Sequence, residues 1–232
     1  MNQEITIALT SCGRFDLLER TIKSLIENWD GPKPKEFWIY EDQNLADIGF
    51  DWLENEIKSL VGNFSKVKMV SDKVGQIGAI DFLYSKVQTP YIFHCEDDFE
   101  FYRSGFIQKS LSILEENPNI MQVWLREPND RNGHPARGVR QKTKDGVQFQ
   151  MMATGYRRDW NGFSFNPGLR RLSDYQKVFP NGYSGVTTFD PKNPLKSEIE
   201  VGKHYFKSGY RACTLLQGFC RHIGGNGRHV NG

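Results

Sequence analysis

Three acids in a row, Glu96, Asp97 and Asp98, close the apolar run YIFHC at 91–95, and Phe99 and Phe101 follow. Adjacent carboxylates repel, and burying them costs free energy unless a cation or hydrogen-bond donors compensate. A solvated turn would meet that demand with water. A hard divalent cation such as Mg2+ or Mn2+ would meet it with charge, because such ions prefer carboxylate, phosphate and water oxygens. One or two protein carboxylates suffice where a diphosphate supplies other ligands. Glu96 and Asp98 stand two apart, so on an extended segment they point the same way. A second polar cluster, Thr10, Ser11 and Arg14, follows the apolar run ITIAL at 5–9. Its hydroxyls and cation suit a nucleotide, and Ser11 or a neighbour equally suits the cap of a following helix.

The elements that must position these groups alternate through the first half of the chain. The apolar runs at 5–9 and 91–95 predict buried strands, and 36–40 and 66–70 predict two further strands. Between them, 14–29 carries Phe15, Leu18, Ile22, Leu25, Ile26 and Trp29 three or four apart, which is a helical stripe. Segments 51–61 and 74–87 predict two more helices. This alternation predicts an α/β fold, a mostly parallel sheet with helices on both faces. Such sheets bind ligands at the carboxyl ends of their strands, and TSCGR, EDQN and EDDFE lie at three of those ends. The second half is less regular. It predicts a helix over 104–117, a strand over 120–127, a loop or flap over 128–146 and an edge strand over 147–153. A strand, a turn at Asn166-Pro167-Gly168 and a helix share 163–179, a loop fills 180–194, a helix 195–210 and a strand 211–219. The tail HIGGNGRHVNG is Gly-rich and predicts mobility.

With 232 residues and 38% hydrophobic content, the chain is expected to form a single domain with a real core. A formal charge of +2 argues against nucleic-acid binding through bulk electrostatics. Cys12, Cys95, Cys213 and Cys220 form no CxxC pair and read as free thiols of a reducing compartment. The start MNQEITIALTSCG is too polar for a signal peptide, and no apolar run approaches the roughly 20 residues of a transmembrane segment. A cytoplasmic location is the expectation.

Taken in order, several segments resemble family 2-like nucleotide-sugar glycosyltransferases of the GT-A fold. IALTSCGRFDLLERTIKSL resembles their first strand and nucleotide loop, and TPYIFHCEDDFEFYRSGFIQKSL their D-x-D region. The E-D-D form before an apolar residue is similar to the N-acetylglucosaminyltransferase I type, as are FSFNPGL on the acceptor side and the late HIGGNG. KSEIEVGKHYFKSGYR resembles the segment in which an acidic pair opens a helix, although Ser197-Glu198 stands where the pair is usually Glu-Asp.

The resemblance implies a single GT-A domain, Rossmann-like, with a nucleotide-sugar-binding half at 1–102 and an acceptor-binding half at 103–232. It implies that Asp98 coordinates Mn2+ or Mg2+ and that Glu96 reaches the ribose or the cation's water shell, with Asp97 doing either or standing in solvent. Glu41 and Asp42 match an acidic strand end that bonds a base edge or ribose hydroxyl, with a solvated terminus as the plainer reading. Gly75, Gln76 and Gly78 match a segment that approaches the nucleotide. His222 matches a third contact to metal or diphosphate, and Arg228 and His229 would neutralise phosphate charge. Glu198 is the candidate base, with Asp190 the alternative. His94 reads as structural, and Trp124, Trp160 and Phe163 as core or as a sugar platform. The implied reaction moves a sugar from a nucleotide-diphospho-sugar, first of all a UDP-sugar, to a hydroxyl of a glycan or other acceptor, with inversion. The alternatives are a nucleotidyltransferase, against which the glycine-poor TSCGRFD argues, and a non-catalytic nucleotide- or sugar-binding domain.

Overall fold

Seven consecutive buried residues form strand β1 (Ile5–Ser11). Its side chains alternate between two cores, so it needs cover on both faces. Ile5, Ile7 and Leu9 pack with Leu18, Ile22 and Leu25 of helix α1 (Phe15–Asn28) and with Leu53, Ile57 and Val61 of α2 (Phe50–Val61). Ala8, on the other face, joins the core that holds Ile77, Ile80 and Leu83 of α3 (Gly75–Lys86). In this computed structural model, residues 3–43, 50–131, 133–155, 159–188, 190, 193 and 195–225 are described.

Strands β2 (Glu36–Glu41), β3 (Lys66–Ser71) and β4 (Tyr91–Glu96) run parallel with β1 in the order β3-β2-β1-β4. The register places Ser11 opposite Glu41 and Thr10 opposite Glu96. The polar ends of three strands therefore meet at one edge of the sheet. The expected βαβ alternation is present with element ends moved by a residue or two.

The second half builds on this frame. After β5 (Phe99–Phe101), α4 (Phe106–Glu116) leads into β6 (Ile120–Trp124). A second sheet has the order β6-β10-β8-β7, with β7 (Ala136–Lys142), β8 (Gln148–Met152) and β10 (Arg211–Leu215). Strand β9 (Gly168–Arg171) joins the first sheet antiparallel to β4, and α5 (Leu172–Val178) follows it. A 3-10 turn at Tyr183–Gly185 and helix α6 (Leu195–Lys207) precede β10. Last, β11 (Cys220–His222) pairs antiparallel with β5.

Four expectations are corrected. The segment 128–146 is not all loop, because β7 lies within it. Nearly every residue of β7 is exposed, so no apolar face marks it, and its ladder with β8 alone makes it a strand. Strand β8 is not an edge, since it sits between β10 and β7. The strand near Asn166-Pro167-Gly168 follows that turn rather than preceding it, where β4 offers an unpaired side. Strand β6 ends at Trp124, and beyond it Arg126 makes an isolated bridge to Cys220. Among the described residues the four cysteines are free thiols, and no helix is long and apolar enough to cross a membrane.

Candidate active site

At the carboxyl edge of β1, Gly13 takes a positive φ of 65°, a conformation that favours glycine, and the chain turns there into α1. The turn aims Arg14 back across the end of β4. Its guanidinium bonds both oxygens of Asp97 and, through Nη1, donates to Asp98 Oδ2 at 2.8 Å. Ser11 Oγ donates to Asp97 at 3.1 Å, and the Cys12 N–H at 3.2 Å. Asp97 is 1% exposed, so the solvated reading of this residue fails. Burial raises its pKa and Arg14 opposes the rise. Ser11 does not cap α1, because it ends β1 and Arg14 holds the N-cap position, with no side-chain cap bond. Thr10 is buried opposite Glu96 and Tyr40.

Asp98 has two cationic or dipolar partners on one oxygen. Besides Arg14, His222 Nε2 lies 3.0 Å from Oδ2. Strand β11 brings His222 there by pairing it with Phe99, and the Ile223 N–H bonds the Asp98 carbonyl at 2.8 Å. Gly224 packs so tightly over this contact that a Cβ would sit 2.6 Å from Asp98 Oδ2. Burial works against ionisation of Asp98, but the His222 hydrogen bond and the Arg14 charge outweigh it and hold the carboxyl below its ordinary range. Glu96 behaves oppositely. Burial first, then the charges of Asp98, Glu198 and Asp97, push its pKa well up, against a 2.6 Å bond from Gln76 Nε2 to its Oε1. An added cation would reverse that shift.

Glu41 and Asp42 diverge. Asp42 Oδ1 accepts the N–H groups of Val74 and Gly75, both at 2.8 Å, and so anchors the start of α3. Glu41 is fully buried rather than a solvated terminus, and its Oε1 accepts the Gly13 N–H at 2.6 Å. Burial pushes its pKa from 4.5 up to about 6. Its contribution to stability is therefore complete below pH 4.5 and is lost as pH rises through about 6. The loss amounts to about 2 kcal/mol. Glu41→Gln keeps an acceptor for Gly13 and removes the titration. Urea unfolding across this window should show the variant gaining on the parent by about that amount as pH rises, then holding level. A pH-independent difference would contradict the assignment.

Glu198 stands in the first turn of α6. Its Oε1 accepts Ser164 Oγ at 2.7 Å and the Phe165 N–H at 2.9 Å. Burial raises its pKa, and the two donors with Arg170 and Arg126 pull it back. Its charge is among those that push the pKa of Glu96 up. Asp190 sits in the loop before α6, where its carbonyl accepts the Asn193 N–H. Trp124, Trp160 and Phe163 are core residues at 1–2% exposure and offer no open sugar platform. His94 is buried against Tyr84 and Phe165, as a structural histidine would be.

Two cations were missed by sequence reasoning. Arg126, 4% exposed, is bonded to Asp130 at 2.7 and 3.2 Å and faces the Phe99 ring. Arg170, 3% exposed, bonds Tyr84 Oη and the Ser164 carbonyl. The available signal was an arginine directly following an apolar run, as in QVWLR and in PGLR.

The sequence profile described as glycosyl transferase family 2 matches residues 6–176. The chain belongs to glycosyl transferase family 2. The matched span takes in β1 to β4, the acidic triplet and Ser164. Solved structures agree on the GT-A fold. Staphylococcus aureus TarS 1–349 superposes with a TM-score of 0.62 at 12% identity, covering 95% of this chain and 60% of that one. The same fragment in complex with UDP-GlcNAc gives 0.64 at 12% identity over 98% of this chain and 60% of that one. GalNAc-T7 with UDP, GalNAc and Mn2+ gives 0.63 at 13% identity, over 95% and 43%. The chain thus spans 60% or less of the length of these neighbours. No match was found among curated protein sequences.

For a family 2 glycosyltransferase the test of a metal is its donor set. Among the described residues no three His, Cys, Asp or Glu side chains gather into a cage. Asp98 and His222 nevertheless form an adjacent carboxylate and imidazole, with the carboxylate kept ionised. Two protein donors fit a cation whose remaining ligands are diphosphate and water oxygens. Glu96 bonds Gln76 rather than this pair, which suits an outer contact. Arg228 and His229 lie outside the described residues.

Proposed function

We propose that the chain transfers a sugar from a nucleotide-diphospho-sugar, a UDP-sugar first of all, to a hydroxyl acceptor by a single inverting displacement. The observation that carries this reading is the contact of Asp98 with His222 at the carboxyl end of β4 in a family 2 domain, and the charge of Glu198 that bears on the neighbouring Glu96 supports it. TarS structures with UDP and UDP-GlcNAc, and GalNAc-T7 with UDP, GalNAc and Mn2+, support the donor class and the cation. In this reading residues 1–102 bind the donor and 103–232 the acceptor. The E-D-D-F run keeps its resemblance to the N-acetylglucosaminyltransferase I type.

Asp98 and His222 would hold Mn2+ or Mg2+, with Glu96 beside them. A divalent cation there supplies positive charge to the departing diphosphate. Arg14, fixed by Asp97, adds a permanent cation to the same edge. Glu198 takes the proton from the acceptor hydroxyl as that oxygen attacks the anomeric carbon. The electron pair of the broken glycosyl bond leaves with the diphosphate, so no enzyme nucleophile is needed. The raised pKa of Glu198 brings its basicity closer to neutrality while its two donors keep it aimed. Incubation with a panel of nucleotide-sugars, with and without Mn2+, tests the reading. Release of nucleoside diphosphate supports transfer, release of sugar 1-phosphate through breakage of the phosphate–phosphate bond would indicate nucleotidyl transfer, and neither would indicate a binding domain.

A further inference from the structure

The residues behind Glu198 form a connected hydrogen-bond network. Gln122, on β6 and fully buried, clamps the backbone of Ser164 from both sides. Its Nε2 donates to the Ser164 carbonyl at 2.8 Å, and its Oε1 accepts the Ser164 N–H at 3.1 Å. Arg170 Nη2 donates to the same carbonyl at 2.8 Å, while Nη1 is held by Tyr84 Oη at 2.8 Å. Ser164 lies in an irregular segment, yet it is only 3% exposed. Three buried bonds fix its backbone, the Asn166 N–H donates to its hydroxyl oxygen at 3.2 Å, and that hydroxyl donates to Glu198. The guanidinium of Arg170 also stacks on Phe163, which flanks Ser164 on the other side.

Resting on the proposed role of Glu198 as base, we infer that Ser164, locked by Gln122 and Arg170, is a positioning residue that sets the aim and the ionisation of the Glu198 carboxylate. A hydrogen bond to the charged form of a carboxylate favours that form. Two donors converging on Oε1 also fix the orientation of the carboxylate. The charged groups bearing on Glu198 are Arg170 on β9, Arg126 beyond β6 and Glu96 on β4. None of these changes when the Ser164 hydroxyl is removed, so its effect can be read separately.

The test is a side-chain carboxyl NMR titration of protein labelled with carbon-13 glutamate. Glu198→Gln identifies the Glu198 signal, and Ser164→Ala is compared with the parent. The titration midpoint should move up in Ser164→Ala, on the order of one pH unit. With whichever UDP-sugar of the panel the parent turns over, kcat should fall about tenfold or more with KM little changed. A merely structural serine would leave the midpoint in place, and that result would overturn the inference alone, provided Glu198→Gln is inactive. Normal turnover by Glu198→Gln would instead remove Glu198 as base, and the positioning role with it.

Discussion

Glu198→Gln should lower turnover by about two to four orders of magnitude while donor affinity changes little. The amide oxygen still accepts Ser164 Oγ and the Phe165 N–H, so the local structure is kept. What is lost is the ability to take a proton. Glutamine also removes a negative charge that bears on Glu96, so the pKa of Glu96 should relax downward in the variant. The parent's kcat/KM should rise with pH on a limb set by Glu198, above the ordinary carboxylate range because burial raises that group. Steady-state kinetics and donor-binding calorimetry on the same preparations check both halves. Full loss in Asp190→Asn with none in Glu198→Gln would move the role to Asp190.

Asp98→Asn should abolish the dependence of nucleotide binding on the divalent cation. Asparagine keeps an oxygen for Arg14 and nearly the same shape, and Arg14 retains both oxygens of Asp97. The fold at this edge should therefore persist. Loss of an outer support of a metal ligand already costs about 10- to 100-fold in metal affinity. Removing the anionic ligand itself should cost at least about 100-fold. UDP titrated calorimetrically with and without Mn2+ should show strengthening by Mn2+ in the parent and none in the variant. Undiminished strengthening in Asp98→Asn would remove Asp98 from the metal site.

The parallel half of the fold was legible because β1 and β4 are short apolar runs and α1 shows a clear helical stripe. Burial on both faces leaves no polar alternation to confuse β1 or β4. The triplet was legible as a site because three acids after such a strand demand compensation. What compensates them was not legible. Arg14 and Asp97 read separately as ligand contacts, yet they turn on one another across the sheet edge. Strands β5 and β11 have three residues each, too few to show a period, and their pairing alone delivers His222 to Asp98. Asp42 looked like a nucleotide contact for the same reason that it anchors α3, a carboxylate at a strand end beside free N–H groups. Strand β7 was hidden by its exposure, and the Gln122–Ser164–Arg170 lock by its dependence on three separate segments.

The central claim is transfer of a glycosyl group from a nucleotide-diphospho-sugar at the carboxyl end of β4, where Asp98 meets His222. Proton NMR of the reaction mixture, with an α-linked UDP-sugar, Mn2+ and a hydroxyl acceptor, follows that event directly. The account predicts loss of the donor's anomeric signal matched by equal amounts of UDP and a β-linked product. Products in which the sugar keeps the α configuration, or in which the phosphate–phosphate bond is the one broken, would contradict it.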